Sequence, residues 1–385
     1  MGPFDEADGI VQAAVERGEI PGAVLHVRTP AGVAHERAFG RRRIDGAPAL
    51  RADDLFPVAS LTKLTVAVAM LQLCEDGAVG LDDPIVRYLP AFTDPTVLVS
   101  YDLETRATAV RPAAGPITIR HLLTHTAGIH HGFPRPDDVV GTLYERAGVV
   151  HGDGAPMSQK VERLGPLPLV HDPGRGWTYG LSSDVAGRLI EVVAAEPLDR
   201  YLARRVFAPL GIERALFLVP PDERARLVPP HVRNDGGTAV APWADKDGEK
   251  YPSGGGGLHT TAADYGRFAQ ALLDGGAPIL SPASAAIMIR NHIGDLTAAF
   301  GLKYGLSVGV ATTEARGEPP LPVGGFGWYG IYGTWFWTLP SHRACVLLFT
   351  SVLTAGMNLP LFSRVVEAVD RWGTMWAVHT PRRLP

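Results

Sequence analysis

A helix that is apolar on every side has to sit in the middle of its fold, and residues 60–76 read as one. Ser60-Leu-Thr-Lys63 runs into Leu64-Thr-Val-Ala-Val-Ala-Met-Leu-Gln-Leu73, with Gly77 as the expected C-cap. Covering such a helix takes a large core. The chain has the material for it, with 385 residues, 46% of them hydrophobic and 20% charged, a composition that excludes a disordered protein. The same run is shorter than the roughly 18 apolar residues that span a bilayer, so no membrane is expected as a partner.

Around this helix the pattern changes with position. Residues 23–28 and 33–39 are two short β-forming runs about Thr29-Pro-Ala-Gly32, which suits a hairpin. The middle third reads as helices and long loops, with a short helix at 158–164 and a longer one at 184–207. Residues 262–273 follow the glycine run 254–257 as an amphipathic helix. Beyond Tyr304 the period becomes two, giving consecutive antiparallel strands, and a closing helix is expected over 361–372. Strands at both chain ends with helices between them are the expected layout.

Charge and cysteine usage narrow the partners. With 36 Lys plus Arg against 40 Asp plus Glu, the net charge of -4 offers no cationic field to a phosphate backbone, and no nucleic-acid partner is expected. Cys74 and Cys345 lie far apart in apolar surroundings and read as buried free thiols. The acidic N-terminus lacks the basic and apolar regions of a secretory signal, so a cytoplasmic location is expected.

Only five residues are Lys, and Lys63 stands one helical turn after Ser60 in the one Ser-x-x-Lys of the chain. That spacing puts both side chains on one face of a helix. Burial at the positive end of the helix dipole disfavours an ammonium, which turns a lysine towards base chemistry, and it aims the Ser60 N–H into the same site. A capping serine beside a solvent-seeking lysine would give the same letters.

Further segments in sequence order bear on that choice. They are Ile20-Pro-Gly-Ala, Phe56-Pro-Val-Ala-Ser-Leu-Thr-Lys63, Leu81-Asp-Asp-Pro-Ile-Val-Arg-Tyr-Leu-Pro, Ile119-Arg-His-Leu-Leu-Thr-His-Thr-Ala-Gly128, Asp172-Pro-Gly-Arg-Gly-Trp-Thr-Tyr-Gly-Leu-Ser-Ser-Asp184, Phe207-Ala-Pro-Leu-Gly and Gly255-Gly-Gly-Leu-His-Thr-Thr-Ala-Ala-Asp-Tyr265. Over nearly its whole length the chain resembles the serine β-lactamase and penicillin-binding-protein superfamily. Within it the resemblance is to class C β-lactamase-like esterases, the family VIII carboxylesterases, and to related acyltransferases. It implies an α/β (α+β) fold of the β-lactamase/transpeptidase type. An antiparallel sheet flanked by helices, from residues 1–65 and 250–385, would carry an inserted, mostly helical region, 66–249, with the active site at the junction.

The resemblance also implies roles. Tyr179 in Trp177-Thr-Tyr-Gly-Leu matches the family's tyrosine beside the nucleophile. A phenol, with a reference pKa of about 10, becomes a usable base beside the Lys63 cation, so the pair can shuttle the Ser60 proton. Leu181 stands where β-lactamases carry Asn, and Trp328-Tyr329-Gly330 where they carry Lys-Thr-Gly. Both changes remove polar recognition of anionic β-lactams and favour an ester or thioester, with Leu181, Trp328, Tyr329 and Gly330 facing the substrate. Gly330 allows close backbone approach, and the Ile331 N–H would be the second oxyanion donor beside that of Ser60. The implied function is a serine hydrolase or acyltransferase acting on small-molecule esters through an acyl-enzyme on Ser60, with water, an alcohol or an amine as acceptor and no cofactor. A β-lactamase, a D-amino-acid peptidase or amidase, and a non-catalytic binding member are the alternatives.

Two other constellations compete. Gly305-Leu-Ser307-Val-Gly309 matches the Gly-x-Ser-x-Gly elbow, with His342 or His379 able to complete a triad, yet it sits in a period-two run rather than between a strand and a helix. His121 and His125, with His130 and His131 nearby, have the spacing of one helical face but lack the Glu of His-Glu-x-x-His, so no metal is expected. Trp177, Trp243, Trp328, Tyr329, Tyr332 and Trp335 are candidates for an aromatic pocket wall.

Overall fold

A computed structural model describes residues 2–379 apart from 47, 103–104, 106, 132–138, 150–154, 235–236, 242–250 and 354–358. Its largest sheet has seven strands: β1 (Gly22–Thr29), β2 (Gly32–Gly40), β3 (Lys303–Tyr304), β4 (Gly309–Val310), β5 (Phe326–Gly330), β6 (Thr334–Leu339) and β7 (Ala344–Phe349). Their order is β3-β4-β5-β6-β7-β1-β2, and every pairing is antiparallel. The expected hairpin is β1–β2, and β1 joins the C-terminal strands by pairing Val24 with Phe349.

Helices cover both faces of this sheet. α6 (Ala262–Leu273) covers one face and α1 (Asp5–Glu16) with α7 (Leu359–His379) the other, while α2 (Thr62–Glu75), α3 (Ile119–Leu123) and α4 (Met157–Leu164) pack around α5 (Ser182–Ala194). Successive β6 residues point to opposite faces. Trp335 stacks on Phe362 of α7 at 5.2 Å, while Phe336 meets Tyr265 of α6 at 5.5 Å. β6 is buried throughout, with four large apolar side chains between and beside Thr334 and Thr338, as a strand covered on both faces must be.

α2 is the buried axis: every residue from Thr62 to Leu73 is buried. It starts two residues later than its sequence suggests, because Ala59–Leu61 form a single 3-10 turn and Ala59 has φ 45°. The expected helix over 184–207 is broken, since α5 ends at Ala195 with a left-handed φ of 53° and helical turns resume at Leu198. Residues 305–308 turn instead of continuing a strand, with Ser307 at φ 60° between β3 and β4. The expected division at 249/250 and Trp243 lie outside the described residues. Among the described residues no helix is long and apolar enough to cross a membrane.

Candidate active site

Three elements bring the expected residues together. The turn before α2 carries Ser60, the first turn of α2 carries Lys63, and the segment leading into α5 carries Tyr179. The Lys63 Nζ lies 3.1 Å from Ser60 Oγ and also donates to the Gly255 carbonyl. The same Nζ sits 4.8 Å from the centre of the Tyr179 ring. Lys63 is 4% exposed while Ser60 and Tyr179 are half-buried, so the hydroxyls are accessible and the amine is enclosed. Ser60 makes no helix-capping bond, which leaves the capping reading without support here.

β5 closes the site from the sheet side. A Cβ on Gly330 would lie 2.3 Å from both the Val58 carbonyl and Thr334 Oγ1, so the strand end packs directly on the backbone two residues before Ser60. Neither Ser60 nor Ile331 donates its N–H to a carbonyl among the described backbone hydrogen bonds.

Three expected wall residues behave differently. Trp328 is 2% exposed, and its indole Nε1 donates to Tyr179 Oη at 3.1 Å, so it addresses the tyrosine instead of presenting an apolar wall. Tyr329 points away along the alternation of the strand and packs on Phe300 and Trp335, at 4.9 and 4.8 Å. Leu181 is buried and lines a small internal cavity with Met157 and Val161 of α4. A strand with both faces buried can offer substrate little beyond its backbone edge, which the letters alone could not reveal.

Ser307 is fully buried, and its N–H and Oγ both donate to the Leu123 carbonyl, at 2.7 and 3.3 Å. His342 pairs with Asp370 at 2.9 Å. Ser307 therefore serves a clasp between the β3–β4 turn and α3.

The histidines are likewise engaged locally. His121 Nδ1 accepts from the Thr118 N–H in the capping box of α3. His125 is fully buried against Tyr179, Tyr304 and Trp177, with ring centres 4.5, 5.7 and 6.2 Å away. Its carbonyl accepts from Thr178 N and its Nδ1 from Gly180 N, so it grips the backbone on both sides of Tyr179. Among the described residues no group of three or more His, Cys, Asp or Glu is placed to hold a metal.

Burial, and after it the charge of Lys63, holds the His125 imidazole well below its usual pKa. The unfolded chain binds that proton below about pH 6.5 and the folded chain does not, so the stability is complete above that pH and drains as pH falls through it, by up to about 1.4 kcal/mol per unit. His125→Asn keeps a side-chain acceptor and tolerates the left-handed φ of 56°. Thermal melts from pH 7 to 5 are expected to fall less steeply for this variant than for wild type; equal slopes would contradict the buried neutral imidazole.

Comparison with known proteins places the chain in a family. The family model described as Beta-lactamase matches residues 7–365. The chain belongs to the beta-lactamase family. It is 30% identical over 384 residues to esterase EstB of Burkholderia gladioli, covering 94% of each protein. It is 33% identical over 289 residues to the monacolin J acid methylbutanoyltransferase of Aspergillus terreus, covering 72% of this chain and 68% of that one. Among solved structures, EstCE1, a hydrolase with promiscuous acyltransferase activity, superposes with a TM-score of 0.81 at 26% identity, covering 96% of this chain and 98% of that one. The β-lactamase/transpeptidase-like fold implied by the sequence is thus the fold of this member of the beta-lactamase family.

Proposed function

We propose that this beta-lactamase family member is a serine esterase or acyltransferase that carries the acyl group of a small-molecule carboxylic ester or thioester on Ser60. The observation that carries the reading is the enclosed Lys63 Nζ at 3.1 Å from Ser60 Oγ, with Tyr179 held against it by the Trp328 indole. To act as base, Lys63 reacts in its unprotonated form, with two N–H groups and one lone pair. Giving one N–H to the Gly255 carbonyl orients the lone pair so that it can take the Ser60 proton as Oγ attacks the acyl carbonyl. The tetrahedral anion rests on the Ser60 and Ile331 N–H groups. Collapse expels the alkoxide or thiolate, which takes a proton through Tyr179, and leaves acyl-Ser60. Water or an alcohol then attacks the acyl-enzyme, giving up its proton to the same pair, and Ser60 is regenerated.

A neutral indole donor at Trp328 offers no ion pair to a substrate carboxylate, which favours uncharged esters over β-lactams. The named activities of the Burkholderia and Aspergillus relatives point the same way.

The test is p-nitrophenyl butyrate turnover with and without a primary alcohol. A burst of nitrophenol followed by a mixture of acid and new ester is expected, whereas no burst and no product that incorporates the alcohol would reject the reading. Trp328→Phe removes the N–H that steadies Tyr179 Oη. A hydrogen bond to a group that carries charge in the transition state is worth about 1.5–3 kcal/mol, so kcat is expected to fall about 10- to 100-fold with the melting temperature little changed. A wild-type kcat would contradict the role of the indole.

A further inference from the structure

Asp184 lies in the first turn of α5, four residues after the Tyr179–Gly180 segment, and is 3% exposed. Its Oδ1 accepts from Ser253 Oγ at 2.7 Å and from Gly255 N at 3.0 Å. The glycine run is pressed onto this turn: a Cβ on Gly255 would lie 2.2 Å from Asp184 Oδ2, and one on Gly254 2.6 Å from the Ser183 carbonyl. Gly255 in turn accepts the Lys63 N–H. A glycine run has wide backbone freedom unless something fixes it, and a lysine has four side-chain torsions to settle. The contacts therefore form one series, Asp184 to Gly255 to Lys63 to Ser60, which starts on the helix that the Tyr179 segment enters and ends at the turn before α2.

We propose that Asp184 is a positioning residue for Lys63. By clamping residues 253–255 it aims the Gly255 carbonyl, which holds one N–H of Lys63 and leaves the lone pair turned towards Ser60 Oγ. The proposal rests on Ser60 being the acylated residue, and it assigns the clamp to hydrogen-bond acceptance by Oδ1, so a side-chain amide oxygen can replace it.

The experiment follows single-turnover acylation by intact mass, with active-site titration, kcat and KM for p-nitrophenyl butyrate, in wild type, Asp184→Asn, Asp184→Leu, Ser253→Ala and Ser60→Ala. Asp184→Asn is expected within about threefold of wild type, since Asn Oδ1 accepts both bonds. Asp184→Leu is expected to acylate about 10- to 100-fold more slowly per titrated site at saturating ester, with the ester concentration that half-saturates the single-turnover rate unchanged, because a misaimed base slows the chemical step without weakening substrate binding. Should Asp184→Leu fail to fold, Ser253→Ala loosens the same clamp and is expected to slow single-turnover acylation about tenfold with the half-saturating ester concentration unchanged. An adduct that depends on Ser60 yet forms at the wild-type rate in the loosened variants, or an equal loss in Asp184→Asn and Asp184→Leu, overturns the role of Asp184 alone. An adduct that survives Ser60→Ala overturns both readings.

Discussion

Ser60→Ala is expected to lower kcat for p-nitrophenyl esters by at least about 10³-fold while the protein folds as before. The Ser60 hydroxyl is half-buried, and its contact with Lys63 is the one side-chain hydrogen bond described for it. Removing it takes away the proposed nucleophile and little packing. Ser307→Ala provides the contrast, because it removes a 3.3 Å bond to the Leu123 carbonyl in a buried clasp. That change is expected to cost about 1 kcal/mol of stability and to leave kcat within a few-fold of wild type. The reverse pattern would move the chemistry to the β3–β4 turn.

Lys63→Met is expected to lower kcat by about 10²- to 10⁴-fold, the usual worth of a placed acid–base group. Methionine fills the same enclosed channel but can neither take the Ser60 proton nor give an N–H to the Gly255 carbonyl, and a buried unpaired acceptor costs about 1–3 kcal/mol of stability. Tyr179→Phe is expected to fall in the same range. Because the two groups work on one proton, the double variant should lose little more than the worse single one. Stopped-flow acylation rates for the four proteins check this, and losses that multiply would mean that Lys63 and Tyr179 act in separate steps.

Much of this arrangement was legible in the letters. Periodicity located α2, the β1–β2 hairpin, β6, β7 and α6, because each is long and has both flanks marked by turns or caps. The helix expected over 184–207 ends at Ala195, two residues before Pro197, whose ring breaks the helix and starts the next one at Leu198. The strand expected through Leu306, Val308 and Val310 fails at Ser307 because alternation persists through a tight turn whose residues are all buried.

At the site, Ser60 and Lys63 are three residues apart, on adjoining turns, so spacing alone could pair them. Tyr179 could be joined to them only through resemblance. The direction of Trp328 was out of reach, since a tryptophan next to a motif reads as a wall until its N–H is seen to meet Tyr179 Oη. Gly255 and Asp184 were passed over because the run Gly254–Gly257 reads as a flexible hinge. Four consecutive glycines can equally mark a backbone pressed against a neighbour, and here Asp184 is that neighbour.

The most direct test is to quench wild-type protein during turnover of p-nitrophenyl butyrate and to locate the added butyryl mass by peptide mapping. One butyryl group per chain on the peptide that contains Ser60, absent from Ser60→Ala, is the predicted result. A butyryl group on the Ser307 peptide, or turnover with no covalent adduct at any time, would contradict it.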